Sequence, residues 1–483
     1  MSGAPGSTVD VLREALAYAD SWLAYRVWKL RAPGAQVAVW FDGKVQFSKA
    51  YGLSNLDTGE PLTTSHLFRV ASHSKTFTAT AVMQLLEAGK LRLDDAVGSW
   101  VPALTGAGSP LAEGTVRELL SHSSGAIRDG VDSTYWSHGR PFPGEGELLE
   151  LAIREGAVRQ PEAAFKYSNI GFSLLGLIVG KAAGSTYNEY TRAAIIETLG
   201  LQNTGPELDE ARLPEFAGNH SGLSSWTERQ VVPHVDTRAM AAATGFYSTA
   251  EDMVVFASAH FFGDTRLISD RSKNEMQRPV WTGQSPEAPQ DGYGYGTSIR
   301  HYDGHRMVGH AGGYPGHITR TMWDPNEGLA ISVLTNAVDG PAEELAAGVL
   351  KILDKARDVP PALPLDSGLV NSAAIPPPAA PEKEIDLATF SGRFAAFWGV
   401  TDVFVLGGKL FASSPVGPSP VVQPSELAVV DENTLRVMDG SPYGSLGEFF
   451  RYERDTDGKV VSLFTGGMKA WPIEDYRARG RVL

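Results

Sequence analysis

Hydrophobic and polar residues alternate along two well-separated parts of this chain. Residues 34–52, GAQVAVWFDGKVQFSKAYG, alternate on both sides of Asp42-Gly43, a dipeptide that favours the tight turn of a β-hairpin. Residues 317–336, HITRTMWDPNEGLAISVLTN, predict a second pair of strands joined around Pro325 to Gly328. Strands are therefore expected on both sides of a long middle region.

Apolar residues recur at helical spacing in several other segments. Residues 8–29 predict an amphipathic helix, and residues 72–89 predict a helix that Gly89 would end. Ser248 and Glu251 have the spacing of a capping box at the start of a later helix. Together with the strands, this order predicts an α+β fold: an antiparallel sheet flanked by helices, with an all-helical subdomain in the middle of the chain.

The composition changes after Ala356. Between there and Glu384, 7 prolines stand among small and polar residues, as is typical of a semi-rigid linker. Beyond it, short alternating runs separated by Gly-Gly, Asp-Gly and Asn-Thr turns predict a small antiparallel β-barrel or sandwich. We therefore expect a first domain at residues 1–357, a linker at 358–384 and a β-domain at 385–483.

Charge and composition exclude several classes of function. The formal net charge is -14, and no clustered basic surface is visible, so a nucleic-acid partner is not expected. The chain has 0 cysteines, which removes thiolate catalysis and disulfides. The N-terminus lacks the basic and apolar regions of a secretory signal, and no apolar run approaches a membrane span. The expectation is a cytoplasmic protein with no membrane partner.

One short stretch, ASHSKTFTAT at residues 71–80, places a serine and a lysine three residues apart at the start of a predicted helix. Residues three apart share a helix face, so the Lys75 amine is expected beside the Ser72 hydroxyl. A serine hydroxyl becomes a useful nucleophile only with a base within hydrogen-bond reach. Taken alone, such a pair is more commonly a helix-capping serine followed by a solvated lysine.

Two further stretches supply complementary groups. FKYSNIGF gives Tyr167 and Asn169, and VGHAGGYPGH gives His310, Gly312 and Gly313. With Ser72-x-x-Lys75, in this order, the three motifs resemble the serine β-lactamase and penicillin-binding-protein superfamily. The closer resemblance is to its class C-like branch (peptidase S12-like), which contains D-aminopeptidases, D,D-peptidases, class C β-lactamases and related esterases. It covers roughly residues 35–354, and the predicted β-domain resembles the lipocalin-like domain that several members carry.

The resemblance implies a role for each of these residues. Ser72 would be the acylated nucleophile, with Lys75 and Tyr167 as general acid and base in an order that the sequence leaves open. Asn169 would hydrogen-bond Lys75 and the substrate's acyl group. The backbone N–H groups of Ser72 and Gly313 would form the oxyanion hole. We expect the fold to be a β-lactamase/transpeptidase-like domain plus the β-domain.

His310 and Gly312 belong to the predicted substrate-binding residues. Gly312 and Gly313 would let the substrate backbone approach the strand edge closely. Where the family has lysine or histidine, this chain has His310, which is mostly neutral at pH 7 and offers a substrate carboxylate little charge. The resemblance therefore favours D-aminopeptidase, amidase or esterase chemistry. Tyr135 and Trp136 are left open between a wall of the substrate pocket and loop packing.

Two other readings stay open. The same acyl-enzyme could pass its acyl group to an amine, as in an acyltransferase or a peptide-cyclising thioesterase. A catalytically silent binding or sensor protein of the same fold is the third possibility. The expected partner is a small-molecule or peptide substrate, with no metal or organic cofactor, because the chemistry needs only protonatable side chains and backbone amides. The oligomeric state is left open, a homodimer being one option.

Overall fold

A computed structural model describes residues 8–223, 228–282, 290–302, 304–358, 378, 379, 381, 383, 385–396, 399–415, 424–438, 447–465 and 468–478. The chain divides into two compact units. Leu30–Ala346 forms one of them, and Met1–Lys29 together with Ala347–Leu483 forms the other. The predicted boundaries at residues 357 and 385 stay predictions, and most of the predicted linker lies outside the described residues.

The helices fall mainly between the two groups of strands. In chain order they are α1 (Thr8–Lys29), α2 (Ser74–Glu87), α3 (Val97–Trp100), α4 (Pro102–Gly106), α5 (Val116–Leu120), α6 (Glu145–Arg154), α7 (Asn169–Ala183), α8 (Tyr187–Thr191), α9 (Ala241–Thr244), α10 (Ala250–Ser258), α11 (Asp270–Gln277), α12 (Ala342–Asp358) and α13 (Ile473–Ala478). Short 3-10 turns occur at Ala71–His73, Pro110–Ala112, Thr134–Ser137, Glu210–Glu215, Arg238–Met240 and Leu387–Phe390, and a π-helical turn at Arg192–Glu197.

The strands of the Leu30–Ala346 unit are β1 (Gly34–Phe41), β2 (Lys44–Asn55), β3 (Glu60–Pro61), β4 (Phe68–Arg69), β5 (Asn219–His220), β6 (Val231–Val232), β7 (Tyr247–Ser248), β8 (Trp281–Thr282), β9 (Gly292–Tyr293), β10 (Ser298–Tyr302), β11 (His305–Tyr314), β12 (His317–Asp324) and β13 (Leu329–Thr335). Those of the other unit are β14 (Gly392–Ala396), β15 (Gly399–Leu406), β16 (Lys409–Ser413), β17 (Ser425–Asp431), β18 (Thr434–Val437), β19 (Phe449–Arg454), β20 (Val460–Thr465) and β21 (Met468–Pro472).

The larger unit is built on a nine-stranded antiparallel sheet. Its strand order is β3-β2-β1-β13-β12-β11-β10-β9-β8, so the two ends of the unit meet where β1 pairs with β13. Both predicted hairpins are confirmed. Asp42 and Gly43 have φ values of 53° and 73°, the positive values that the two-residue turn between β1 and β2 requires. The predicted α+β fold with a separate β-domain is therefore confirmed.

The helix α2 forms the centre of the hydrophobic core of this unit. Its side chains are buried along most of its length, and Phe77 stacks between Phe246 and Phe256 with ring centroids 4.1 and 3.7 Å away. The helix begins two residues later than the Ser72 prediction, after the 3-10 turn Ala71–His73, and Gly89 follows its end with a φ of 68°. The predicted capping box is wrong by one residue: Thr249, not Ser248, accepts the backbone N–H of Asp252.

The strands β14 to β21 form a closed antiparallel barrel, because β14 pairs with both β15 and β21. Alternate residues face its interior, where Phe394, Leu427, Phe450 and Leu463 belong to one buried cluster. The barrel prediction is confirmed, and its likeness to a lipocalin stays a prediction.

No single helix of the described residues is long and apolar enough to cross a membrane. The bent pair Asn169–Ala183 and Tyr187–Glu197 reaches that length and hydropathy only when its two parts are taken together.

The stacking of Phe77 gives a stability prediction. Phe77→Ala leaves a cavity between two aromatic rings in the core and is expected to lower the free energy of unfolding of its unit by about 3–5 kcal/mol. Phe449→Ala, which changes an exposed phenylalanine of the barrel, is the control and should leave the unfolding of the Leu30–Ala346 unit unchanged. Urea unfolding measures both, and equal midpoints for Phe77→Ala and wild type would contradict the prediction.

Candidate active site

The serine of the first motif sits on a strained turn immediately before α2. Ala71 has a φ of 47°, in the left-handed region that costs a residue with a side chain free energy. Hydrogen bonds on both sides hold the turn: the Val70 N–H donates to the Phe246 carbonyl at 2.9 Å, and the Ser74 hydroxyl donates to the Ala71 carbonyl at 2.6 Å. The turn leaves the Ser72 side chain partly exposed between two buried residues.

Lys75 lies in the first turn of α2 and points back to Ser72. Its Nζ donates to Ser72 Oγ at 3.1 Å and to the Ala243 carbonyl at 2.8 Å, and the side chain is fully buried. Nζ also lies 4.8 Å from the centre of the Tyr167 ring. Burial holds the pKa of Lys75 well below its ordinary value, and Asp129 opposes this only in part. A lowered pKa is what a lysine needs in order to act as a base toward a neighbouring hydroxyl.

Tyr167 shares a hydrogen bond with Ser72 through its side chain. Burial raises the pKa of Tyr167 above its ordinary value, so it stays a protonated phenol. The next residue explains its position: Ser168 caps α7 by accepting the Gly171 N–H at 2.8 Å and donates to the Ile127 carbonyl at 2.6 Å. Both bonds fix the backbone beside Tyr167. The centre of the His122 ring lies 4.2 Å from that of the Tyr167 ring, and His122 Nδ1 accepts the Ser168 N–H.

Asn169, the first residue of α7, has a different partner from the one predicted. Its Nδ2 donates to Asp129 Oδ1 at 2.7 Å, while its Oδ1 is buried without a hydrogen-bond partner. The predicted hydrogen bond between Asn169 and Lys75 is therefore absent. Because a carboxylate can only accept, Asp129 fixes which end of the amide faces it. Asn169 is linked to Lys75 indirectly. It donates to Asp129, and the charge of Asp129 offsets part of the lowering of the Lys75 pKa.

His310 lies in the middle of β11. Its Nδ1 is 2.6 Å from the Ala311 carbonyl, which can only accept, so Nδ1 carries the proton. Nε2 then accepts the Tyr293 hydroxyl at 3.1 Å. Burial, with Lys75 nearby, holds the pKa of His310 well below its ordinary value. His310 is thus a neutral, buried imidazole whose ring centre lies 6.3 Å from that of Tyr167.

The two glycines of the third motif differ in their surroundings. A Cβ on Gly312 would lie 2.2 Å from the Val70 carbonyl oxygen and 2.3 Å from Thr319 Oγ1, so Gly312 packs β11 against the Ser72 turn. A Cβ on Gly313 would meet nothing nearer than 3.6 Å. From His310 onward β11 pairs with β12 alone, and the edge toward β10 is not paired within the described residues. Gly313 therefore has the open position that the prediction assigned to both glycines.

The structure brings Ser72, Lys75, Tyr167, His310 and Gly312 into one cleft, and Asn169 joins through Asp129. Two site residues escaped the sequence reasoning. Asp129 follows no motif, and nothing in the local pattern marks it. Tyr293 lies in the repeat GYGYG, which offered a weak signal. The sequence left the role of Tyr135 and Trp136 open. Tyr135 is fully buried and donates to the Asp129 backbone carbonyl, and Trp136 Nε1 donates to the Asp129 carboxylate. Both side chains therefore pack the loop that carries Asp129.

The cleft supplies a nucleophile, a base and a phenol within contact of one another. His305, Asp324 and Glu327, toward the other end of β11, hold their ligand atoms within 4.8 Å of each other, which would suit a cation. The cluster includes the exposed Glu327, and such groups are common without an ion, so it carries no role in the chemistry.

Comparison with known proteins defines the class. The profile of the Beta-lactamase family matches residues 19–354, and the chain belongs to this family. Penicillin-binding protein 4 of Amycolatopsis lactamdurans is 29% identical over 378 residues, which are 75% of this chain and 93% of that protein.

Two solved structures resemble the chain at 26% identity. SurE has a TM-score of 0.59 and covers 96% of this chain and 100% of its own. A D-stereospecific amidohydrolase from Streptomyces sp. also has a TM-score of 0.59, over 69% of this chain and 97% of its own. Family and relatives point to an activity of the serine hydrolase type.

The buried amine predicts a dependence of stability on pH. Between the lowered pKa of Lys75 and about 10.4, its value in an unfolded chain, unfolding takes up a proton. Stability of the wild type therefore rises with pH in this window, by about 1.4 kcal/mol per pH unit from this group. Lys75→Met lacks the effect, so its stability advantage over the wild type should shrink as the pH rises. Urea unfolding at several pH values measures the difference.

The control for this experiment is Lys90→Met, which changes an exposed lysine near the end of α2. Its unfolding free energy should follow the wild type at every pH. Parallel curves for Lys75→Met and wild type would show that the amine is not desolvated.

The two glycines give a matched pair of variants. Gly312→Ala must push β11 away from the Ser72 turn and is expected to cost about 1–3 kcal/mol of stability together with most of the activity. Gly313→Ala should fold as the wild type does and lose activity only through the space it takes from the substrate. Urea unfolding and turnover separate the two effects. Loss of stability in Gly313→Ala but not in Gly312→Ala would contradict the assignment.

Proposed function

We propose that this protein is a serine hydrolase that forms an acyl-enzyme on Ser72 and cleaves a peptide, amide or ester bond. The observation that carries the proposal is the 3.1 Å contact between Lys75 Nζ and Ser72 Oγ. The contact lies in a buried site, and burial lowers the pKa of the Lys75 amine. A nucleophile and its base within this distance are the first requirement of covalent catalysis.

The steps follow from the positions of the groups. Neutral Lys75 takes the Ser72 proton as Oγ bonds to the substrate carbonyl carbon. The negative charge that forms on the carbonyl oxygen is stabilised by the backbone N–H groups of Ser72 and Gly313, and one such donor contributes about 3–4 kcal/mol. Tyr167 then gives its phenolic proton to the leaving group and regains one from Lys75. Water enters by the reverse path, and its attack releases the acid and free Ser72.

The state of His310 bears on the class of substrate. A neutral imidazole whose Nε2 already accepts the Tyr293 hydroxyl offers no fixed charge for the terminal carboxylate of a D,D-peptide or the carboxylate of a β-lactam. This supports an activity of the D-aminopeptidase, amidase or carboxylesterase type. Asn169, turned toward Asp129, would then present its unpaired Oδ1 as an acceptor beside the acyl group.

The test is turnover of D-alanyl and L-alanyl p-nitroanilides, p-nitrophenyl butyrate and nitrocefin by the wild type and Ser72→Ala. We expect an anilide or the butyrate to be cleaved faster than nitrocefin, with turnover abolished in Ser72→Ala because the variant lacks the hydroxyl that hydrogen-bonds to Lys75. Turnover that persists in Ser72→Ala would reject the proposed nucleophile. A fluorophosphonate that fails to label Ser72 would do the same in the absence of any turnover.

A further inference from the structure

Arg128 is a partly fixed cation at the exposed side of the cleft. Its guanidinium carbon lies 5.5 Å from the centre of the Tyr167 ring, and Nε donates to Asp129 Oδ2 at 3.0 Å. The side chain of Arg128 is 63% exposed, whereas that of Asp129 is 10% exposed. Within the described residues, neither Nη1 nor Nη2 has a hydrogen-bond partner. The guanidinium is thus held at one nitrogen and along one face, with its terminal nitrogens open to a ligand.

Asp129, the carboxylate that holds Arg128, also contacts residues of the active site. Asp129 Oδ1 accepts from Asn169 Nδ2 at 2.7 Å and from Trp136 Nε1 at 3.0 Å, and the Asp129 carbonyl accepts the Tyr135 hydroxyl at 2.6 Å. These contacts give the carboxylate a defined orientation, and through it they orient Arg128. A preorganised guanidinium loses less entropy on binding than a free surface arginine does.

Three other basic groups near the cleft are buried and already engaged or uncharged. Lys75 is buried and bonded to Ser72, and His310 is neutral. Arg320 is buried and contacts Glu343, and its Nη atoms donate to Ser298 and Tyr302. Of the two basic side chains over the Tyr167 ring in the described part of the chain, Arg128 is the exposed one and can reach a group arriving from solvent.

Asp129 is a poor partner for a substrate cation by comparison. Three donors already occupy its carboxylate, which has about four acceptor positions, and the side chain is buried. The two free Nη atoms of Arg128 form a planar fork, the geometry that binds a carboxylate through two parallel hydrogen bonds. The open charge at the cleft is therefore positive, in a chain whose formal net charge is -14.

We propose that Arg128 is a specificity-determining residue that binds a carboxylate carried by the substrate, through its free Nη atoms and beside Tyr167. The proposal rests on the proposed serine hydrolase function and adds the substrate class. It concerns a carboxylate elsewhere in the substrate and not the carboxylate that a family lysine at position 310 would meet.

The experiment compares esters that differ only in a free carboxylate. On the acyl side the pair is the 4-nitrophenyl ester of glutaric acid and its methyl-capped form. On the leaving-group side the pair is 3-carboxyphenyl butyrate and its methyl ester. The variants are Arg128→Gln, Arg128→Lys and the control Arg154→Gln. Arg154 has an equally exposed side chain, 68%, with one ion pair, to Glu150 on the same helix.

For at least one pair we expect Arg128→Gln to lower kcat/KM of the carboxylate ester by about tenfold or more, chiefly through KM, since hydrogen bonds to a charged group are stronger than neutral ones. The methyl-capped ester should change less than about twofold, in the range usual for surface substitutions. Arg128→Lys should retain part of the preference, because it keeps the charge but loses the fork. Arg154→Gln should match the wild type on all four esters.

Equal losses on the charged and capped esters would overturn the proposal and leave Arg128 as a packing residue for Tyr167. An unchanged preference in Arg128→Gln would overturn it as well. If Ser72→Ala retains turnover, the proposed function fails first. If no ester is cleaved, a labelling experiment replaces turnover. It measures how far glutarate protects Ser72 from reaction with a fluorophosphonate. Protection in the wild type that Arg128→Gln loses supports the proposal, and equal protection in both rejects it.

Discussion

A lysine amine that is removed from water beside a serine hydroxyl is the contact on which this structure depends. Burying a charged ammonium costs several kcal/mol, so the amine gives up its proton or must be compensated. Within the part of the chain that the structure describes, its hydrogen bonds go to the Ser72 hydroxyl and the Ala243 carbonyl, and the Tyr167 ring lies beside it. The fold therefore maintains an energetically unfavourable group at the position where its basicity is useful.

Three separate elements hold the groups around this amine. The strained turn at Ala71 is fixed by α2 and the Phe246 backbone. The start of α7 is fixed by the cap at Ser168. The strand β11 is fixed by Gly312, which has no side chain and so packs directly against the turn. Each group is positioned by backbone hydrogen bonds and close packing in rigid elements, as precise catalytic geometry requires.

The sequence was sufficient for the elements and insufficient for the contacts between them. The Asp42-Gly43 turn, the two hairpins, the helix that follows Ser72 and the barrel could all be predicted, because local chemistry and alternation specify them. The proximity of Lys75 to Ser72 followed from their helical spacing, and that of Tyr167 followed from a resemblance in motif order. The Asn169 partner was wrong, because Asp129 lies in a loop of no regular pattern and reaches the amide only through tertiary packing. The burial of His310, which lowers its pKa further, likewise arises from tertiary packing, and Tyr293 of another strand donates to its Nε2.

The sheet of the larger unit begins with β3, a strand of two residues, Glu60 and Pro61. A proline has no N–H to donate, and both residues are exposed, with Glu60 accepting a hydrogen bond from Ser54. Where β3 covers Leu53 and Asn55 of β2, the edge offers a neighbouring chain almost no backbone to pair with, and its carboxylate disfavours an apolar strand. The C-terminal end of β2 is thus protected from the addition of a strand from another copy, whereas residues 44–51 pair with β1 alone within the described part of the chain.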